Sequence, residues 1–386
     1  MHTVTSTRVR SILPRTVFLS AFALGVLASA TASGDPSLPP YTYNFDSVAP
    51  DSSESEAPQL GAALGTVTDP VQRVIHSVVS VEVNTLEGAR TESTFGAVRS
   101  GSGVVLDANG LIATVGYIVA EADTVKVTFA NGITDDAEVV AYDDSIGVGL
   151  LRTKNFRSTI AIELGDSSDI EKNQKVLVLP ASGEQGARAV SVGKIKPFTA
   201  GWEYVLNDAI HTYPPSAEFS GAALLSDKAR LLGIGSLVSI DIDIDPKVRV
   251  PGNIFIPIDT LKNVMGELLT KGRSDSSVKP WIGVETKNTK EGIQVGSVYE
   301  DGPAAKAGIK TGDKIVAVDQ KQVIKVADLY ARLWTDSEPG DKIHLLVLRD
   351  QQYANVPVET VDRYEWLNLR GDELEDSETK LTEMSE

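Results

Sequence analysis

The run Ser77-Val78-Val79-Ser80-Val81-Glu82-Val83 decides the fold class, because it is the first of many short stretches with strong β-forming residues. Comparable runs follow at residues 124–129 (TVKVTF) and 175–179 (KVLVL), with glycine, aspartate and asparagine between the runs. Short runs separated by turn residues are typical of antiparallel sheets that close into barrels or stack as a sandwich. We therefore predict a mainly β fold for residues 71–257, with a strong helix pattern only from Asp259.

The composition limits the class of function. The chain has 386 residues, of which 36 are basic and 53 are acidic, so its formal net charge is −17. A negative charge of this size repels phosphate backbones, and we expect no nucleic-acid partner. The chain has no cysteine, so it can form neither a disulfide nor a thiolate metal site. We predict no cofactor and no metal.

The N-terminus has the pattern of a secretory signal peptide. Arg8, Arg10 and Arg15 precede an uncharged apolar run at residues 17–28, and small residues at 28–32 offer cleavage sites. The run is shorter than the ~20 apolar residues that span a bilayer. We therefore predict a secreted or periplasmic protein. An uncleaved membrane anchor, with the protein facing the periplasm, is the alternative.

Further composition changes divide the rest of the chain. A proline-rich stretch follows the signal peptide. Further along, a helix pattern begins after Asp259, its predicted N-cap, and ends just before Gly272. A polar linker comes next. The last unit mixes strands with two short helices, at 303–308 and 326–334. The predicted segments are a signal peptide (1–32), a disordered linker (33–68), a β domain (69–272), a linker (273–279), a smaller domain (280–361) and an acidic tail that frays into solvent (362–386).

In the order Gly101–Thr114, Leu164–Ile170, Ile256–Gly272, Trp281–Val284 and Gly302–Asp319, five motifs resemble those of the HtrA (Deg) family of secreted trypsin-like serine proteases. Gly101–Thr114 (GSGVVLDANGLIAT) resembles the opening motif of the family, Leu164–Ile170 (LGDSSDI) its mid-domain motif, and Ile256–Gly272 its closing helix. Trp281–Val284 (WIGV) and Gly302–Asp319 resemble the carboxylate-binding loop and the most recognisable stretch of the family's PDZ domain. The resemblance implies a trypsin-like double β-barrel followed by an α+β PDZ domain.

The resemblance also locates the catalytic positions, and two of the three have changed. The nucleophile falls on Ser220 in the stretch EFSGAAL, whereas the general base falls on Tyr117 and the orienting aspartate on Gly147. A serine hydroxyl attacks efficiently only when a neighbouring base takes its proton, and a phenol with an ordinary pKa of about 10 is protonated at neutral pH. The glycine of the oxyanion hole is replaced by Glu218, which adds a carboxylate where negative charge develops. We therefore expect no protease activity.

The sequence offers further candidates for the base. His211 lies nine residues before the serine, and we interpret it as a partly buried or surface histidine. Asp143 and Asp144 are close in sequence to the vacant aspartate position, where turn carboxylates commonly accept local N–H groups. A serine–lysine dyad stays open, because no spacing singles out one lysine. We interpret Tyr117 as a filler of the vacated space and Gly147 as making room for a large ring.

Two functions follow from this sequence. The first is a secreted pseudoprotease that binds exposed polypeptide C-termini or misfolded envelope proteins through its PDZ domain, as a scaffold or regulator. In this interpretation Trp281, Ile282, Gly283 and Val284 hold the terminal carboxylate, and Gly283 lets the backbone approach the ligand. The second is an active serine endopeptidase that uses Ser220 with a non-standard base. The resemblance implies a homotrimer, although the N-terminal assembly segment of the family is not recognisable here.

Overall fold

The computed structural model describes residues 72, 74–155, 160–245, 247–367 and 369. Within these ranges the chain is mainly β, as the sequence predicts, and forms two closed barrels followed by a smaller α+β unit. The predicted signal peptide, the disordered linker and most of the acidic tail lie outside the described residues. None of the helices in the described ranges combines the length and apolarity needed to cross a membrane.

The first barrel is built from antiparallel strands that close in the order β1-β2-β3-β6-β5-β4. Its elements are β1 (Val78–Thr85), α1 (Glu92–Phe95), β2 (Val98–Val105), β3 (Leu111–Val115), α2 (Gly116–Val119), β4 (Ala122–Thr128), β5 (Thr134–Asp143) and β6 (Val148–Thr153). In β1, Val79, Val81 and Val83 are buried, whereas Ser80 and Glu82 are exposed. Alternate side chains of a strand point to opposite faces, so one face of β1 forms the barrel core.

The second barrel closes in the order β10-β11-β12-β9-β8-β7. Its strands are β7 (Lys175–Leu179), β8 (Arg188–Ala200), β9 (Tyr204–Tyr213), β10 (Ala223–Leu225), β11 (Leu231–Asp245) and β12 (Val248–Pro257). The turn at residues 201–203 connects β8 to β9, and the loop that carries Ser220 connects β9 to β10. These two connections lie at the functional sites described below.

The helix α3 (Ile258–Lys271) follows β12 and packs against β5 of the first barrel and β11 of the second. Gly272 ends it in the left-handed region (φ +78°), as the sequence predicts. The prediction of Asp259 as N-cap is wrong, because Pro257 holds that position without a side-chain cap bond. The carboxylate of Asp259 instead accepts hydrogen bonds from the backbone N–H groups of Ser167 (2.8 Å) and Ser168 (3.0 Å). The LGDSSDI stretch is therefore fastened to the start of this helix.

The smaller unit is an antiparallel sheet of strand order β14-β15-β16-β18-β19 with helices packed on it. Its elements are β13 (Pro280–Trp281), β14 (Val284–Thr289), β15 (Gly292–Val298), α4 (Pro303–Lys306), β16 (Lys314–Val318), β17 (Lys321–Gln322), α5 (Val326–Asp336), β18 (Lys342–Arg349), β19 (Gln352–Glu359), β20 (Val361–Asp362) and α6 (Arg363–Trp366). Both predicted helices are present. The strand β14 is an outer strand of this sheet and lies beside α5.

The first residues of the predicted acidic tail differ from the expectation that the tail frays. Strand β20 pairs with β13, and the short helix α6 buries Arg363 and Trp366. The ring of Trp366 packs against Trp281, with centroids 4.5 Å apart, and against Tyr299 at 6.0 Å. The physical reason is the apolar surface of these rings, which is removed from water only when the segment docks. The remainder of the segment, apart from residues 367 and 369, lies outside the described residues.

Candidate catalytic and peptide-binding sites

The loop that carries Ser220 is held by close backbone approaches. The backbone N–H of Ser102 donates to the carbonyl oxygen of Ser220 (2.8 Å), and the N–H of Gly221 donates to that of Gly235 (2.8 Å). Gly221 has φ +69°, and a Cβ on it would lie 1.9 Å from the carbonyl oxygen of Ser102. Only glycine fits this position. The GSG stretch at 101–103 is therefore the support on which the loop rests.

The hydroxyl of Ser220 is hydrogen-bonded to the phenol of Tyr117, which lies in α2. Ser220 is buried, and Tyr117 stacks on the ring of Phe95 at a centroid distance of 5.5 Å. The guanidinium of Arg99 donates to the carbonyl oxygen of Tyr117 (2.9 Å) and fixes the turn that presents the phenol. Burial raises the pKa of Tyr117 to about 12, although the bond to Ser220 lowers it. The phenol thus keeps its proton at neutral pH.

Gly147 has no room for a side chain. Its φ is +74°, and a Cβ on it would lie 2.9 Å from the phenol oxygen of Tyr204. This phenol donates to the carbonyl oxygen of Ile146 (3.2 Å). The sequence predicted that Gly147 makes room for a large ring, and that ring belongs to Tyr204. A carboxylate at position 147 would require both a left-handed backbone and a shift of the ring of Tyr204.

The residues considered as substitute bases have other roles. Asp143 accepts hydrogen bonds from the backbone N–H groups of Ser145 (3.0 Å) and Ser274 (2.9 Å), as expected of a turn carboxylate. His211 is buried in β9 with its ring 6.3 Å from that of Phe198, and burial lowers its pKa to about 4. Asp144 lines the cleft beside the serine, and burial raises its pKa to about 6. The hydroxyl partner of the serine is Tyr117 rather than any of these three.

Aromatic side chains fill the cleft beside Tyr117 and Gly147. The remaining cavity is about 50 Å³ and is lined by Tyr117, Tyr142, Trp202, Tyr204 and Arg363, among others. Small-molecule pockets commonly have about 300–1,000 Å³. Among the described residues, no group of three histidine, aspartate or glutamate side chains converges to hold a metal ion. The cleft is therefore a packed aromatic cluster.

Glu218 is exposed at the surface, two residues before Ser220. Its carboxylate is close to the loop at residues 183–187, because a Cβ on Gly186 would lie 3.1 Å from it. Its backbone is outside the left-handed region, unlike that of Gly221. A side chain at position 218 is thus accommodated without backbone strain.

The second site is the loop Trp281–Val284, where backbone N–H groups converge on a carboxylate of the same chain. The carboxylate of Glu203 accepts hydrogen bonds from the N–H groups of Ile282 (3.2 Å), Gly283 (3.0 Å) and Val284 (3.5 Å). Glu203 lies in the turn between β8 and β9 and is 5% exposed. Burial raises its pKa to about 8, although these N–H groups and Arg363 lower it.

The same turn continues along the outer strand β14. The N–H of Thr286 donates to the carbonyl oxygen of Gly201 (2.7 Å), and so does the phenol of Tyr330 in α5 (2.6 Å). The N–H of Glu203 donates to that phenol (2.9 Å), and Val205 packs against the core of the smaller domain. We refer to residues 201–205 as the bridging segment. It lies between β14 and α5, where an added peptide strand would pair with the sheet edge.

Two of the four loop residues have a different role from the predicted one. Gly283 has φ +76°, and a Cβ on it would lie 3.0 Å from the indole of Trp281, so the absent side chain faces this ring rather than the ligand. Trp281 is buried against Tyr299 and Trp366 and does not face the groove. The N–H groups of the loop therefore hold the carboxylate, whereas its tryptophan anchors the loop to the barrel.

Sequence reasoning did not identify Glu203, Gly201, Tyr204 or Tyr330. Their partners lie 58 to 129 positions away in the chain, so no local spacing connects them. The available signal was the short stretch Gly-Trp-Glu-Tyr between two β-rich runs, where two large rings alternate with a glycine and an acid. Alternating residues of an extended segment face opposite sides, which could have suggested a segment with two partners.

Comparisons with known proteins agree with the two-part fold. Residues 101–234 match the trypsin-like peptidase domain, and residues 280–360 match the PDZ domain. The serine protease Do-like HtrA of Lactobacillus helveticus is 28% identical over 287 residues, which cover 67% of each chain. The probable periplasmic serine endoprotease DegP-like of Rickettsia conorii is 24% identical over 302 residues, which cover 75% of this chain and 59% of that protein.

Among solved structures, a serine endoprotease from Yersinia pestis is 24% identical and has a TM-score of 0.44, with 77% of this chain and 98% of that chain covered. The chain spans about half to two-thirds of the length of the curated relatives that it matches.

Proposed function

Since this chain is an HtrA-type protein with a trypsin-like peptidase domain and a C-terminal PDZ domain, we propose that it has no protease activity and acts by binding polypeptides. The observation that carries this proposal is the hydrogen bond between Ser220 and the phenol of Tyr117. The curated relatives are named as serine proteases. In this chain the serine has a neighbour that keeps its own proton and cannot take another one at neutral pH.

The loss of the base has a large expected cost. In a serine-protease triad, removal of the base lowers turnover about 10⁶-fold, and the residual rate comes from the oxyanion hole and substrate binding. The loss of the orienting acid involves more than one residue. Tyr204 packs against Gly147, so the two residues together occupy the space that the acid would need. The alternative of an active endopeptidase needs a base that reaches Ser220, and the described contacts of its hydroxyl give only a phenol.

The PDZ loop supports the binding part of the proposal. Three backbone N–H groups already point to one carboxylate, and this arrangement suits the free C-terminus of a peptide. We propose that the ligands are exposed C-termini of misfolded or damaged envelope proteins, with the protein acting as a scaffold or regulator. The DegP-like relatives are named as periplasmic, and the predicted signal peptide fits that location. The homotrimer stays a prediction, to be tested by light scattering of the purified chain.

Peptide binding is expected to depend on a free C-terminus. The full chain should bind a fluorescein-labelled decapeptide that ends in a free apolar residue, with a Kd in the micromolar range, about −8 kcal/mol. The same peptide with an amidated end should bind at least tenfold more weakly, because the loop N–H groups need an anion. Fluorescence anisotropy measures both. Equal affinity for the free and the amidated peptide would contradict the proposed role of the loop.

A further inference from the structure

The two faces of the bridging segment have different partners. Gly201 and Glu203 face the smaller domain, where they contact Thr286, Tyr330 and the carboxylate-binding loop. Trp202 and Tyr204 face the barrel and line the aromatic cleft. Their rings stack with centroids 6.3 Å apart and an interplanar angle of 5°. One five-residue segment therefore occupies the peptide groove with one face and the vacated catalytic space with the other.

The contacts of the bridging segment reproduce those of a peptide ligand. A peptide bound to such a domain places its carboxylate on the loop and pairs its backbone with the sheet edge. Here the Glu203 carboxylate accepts hydrogen bonds from the loop N–H groups, and the carbonyl oxygen of Gly201 accepts one from the N–H of Thr286 on the outer strand β14. A Cβ on Gly201 would lie 2.0 Å from the carbonyl oxygen of Thr286, so the close approach needs a glycine.

From these contacts we infer that the bridging segment is an internal ligand of the PDZ groove, with the Glu203 side chain in place of a peptide terminus. The groove is closed in the resting protein, and a polypeptide C-terminus opens it by displacing Glu203. Because Trp202 and Tyr204 belong to the same segment, displacement also rearranges the aromatic cleft. The inference rests on the proposed function, since the competitor is the same polypeptide C-terminus.

Two observations indicate that an external terminus can compete. Glu203 has φ +63°, a left-handed conformation that is unfavourable for a residue with a side chain, so the docked turn carries backbone strain. Burial also disfavours the ionised form of its carboxyl group, which raises the pKa to about 8. A peptide terminus has an ordinary pKa of about 3.5, below the ~4.3 of a glutamate side chain, so it keeps its charge more readily than Glu203 in the same buried place. A peptide strand can in addition pair with more of β14 than the single bond at Thr286.

Closure of the groove should weaken the measured affinity for peptide, because only the fraction of molecules with an open groove can bind. If the groove is open in about 1–10% of molecules, the apparent Kd is raised about 10- to 100-fold. Opening the groove by substitution should recover that factor. The substitution Glu203→Ala removes the internal carboxyl group, and Glu203→Gln keeps its shape but replaces one oxygen by an amide nitrogen, which donates instead of accepting. Asp208→Asn is the matched control, because Asp208 is an exposed acid on β9.

The first test is anisotropy of the full chain with the fluorescein-labelled decapeptide that ends in a free apolar residue. Glu203→Ala should bind at least tenfold more tightly than the unsubstituted chain, Glu203→Gln should lie between them, and Asp208→Asn should equal the unsubstituted chain. Equal binding by the unsubstituted chain and Glu203→Ala would overturn the internal ligand and leave the proposed function standing. If neither binds, then the proposed peptide binding and the competition both fail.

The second test does not depend on any peptide. Hydrogen exchange should show the amides of Ile282, Gly283 and Val284 protected in the full chain and exchanging at least tenfold faster in Glu203→Ala. Circular dichroism of each variant verifies that it is folded. Unchanged protection in a folded Glu203→Ala variant would overturn the internal ligand, whatever the peptide result.

The link to the aromatic cleft has its own readout. Acrylamide quenching of Trp202, obtained as the difference between the chain and its Trp202→Phe variant, should increase in Glu203→Ala and on addition of peptide. Quenching that stays constant when the groove is opened would show that the cleft does not respond to the groove.

Discussion

The purified protein is expected to hydrolyse casein and short peptides no faster than its Ser220→Ala variant. In the proposed assignment, the base position is a phenol whose pKa burial raises to about 12, and the orienting position is a glycine whose Cβ would contact Tyr204. The loss of about 10⁶-fold in turnover corresponds to about 8 kcal/mol of activation free energy. Hydrolysis that is present in the chain and absent in Ser220→Ala would contradict this expectation.

Restoring the two missing residues should not restore the activity. In the double variant Tyr117→His with Gly147→Asp, the new carboxylate needs the left-handed backbone at 147 and collides with Tyr204. The imidazole would therefore lack its orienting acid. Glu218, at the proposed oxyanion-hole position, is a further change, so we expect activity only after Tyr204→Ala and Glu218→Gly are added. Hydrolysis by the double variant alone would show that the cleft accepts the aspartate without rearrangement.

The second large effect concerns stability. Trp366→Ala should destabilise the protein by about 3–5 kcal/mol, because a buried indole is lost from its contacts with Trp281 and Tyr299 and a cavity remains. For domains of this size the melting temperature should fall by roughly 10 °C. The control is Tyr353→Ala, whose side chain is 66% exposed and whose loss should cost less than about 0.5 kcal/mol.

Differential scanning calorimetry of the chain and the two variants measures this difference. A melting temperature of Trp366→Ala equal to that of Tyr353→Ala would show that the segment at 361–366 does not dock in solution. The acidic tail would then begin where the sequence alone places it, at residue 362.

The sequence predicts those elements that depend on local patterns. The run at 77–83 becomes β1 because its alternate residues are valines, and the helix α3 ends at Gly272 because glycine adopts the left-handed conformation readily. The start of that helix was misplaced by two positions, since Asp259 has partners near residue 167 that its own neighbourhood does not reveal. Local sequence patterns predict that a helix or strand exists, whereas contacts with residues far away in the chain determine the roles of the residues at its ends.

The functional sites, too, were predicted where the sequence carries a pattern and missed where only distant contacts define them. The closeness of Ser220 and Tyr117 was expected from the resemblance, because it places them at the nucleophile and base positions of one catalytic triad. The role of Glu203 could not be predicted, since its three donors lie about 80 residues further along the chain and carry no side-chain signal. Backbone N–H groups are present in nearly every residue, and only the fold determines which of them converge on a carboxylate.

The central claim is that Ser220 is not an activated nucleophile. The most direct measurement is treatment of the purified chain with a fluorophosphonate probe, followed by mass spectrometry of the peptide that contains Ser220, because such probes label only an activated serine. The account predicts no adduct above the level of the Ser220→Ala variant, in the unsubstituted chain and in Glu203→Ala alike. A stoichiometric adduct on Ser220 would contradict it.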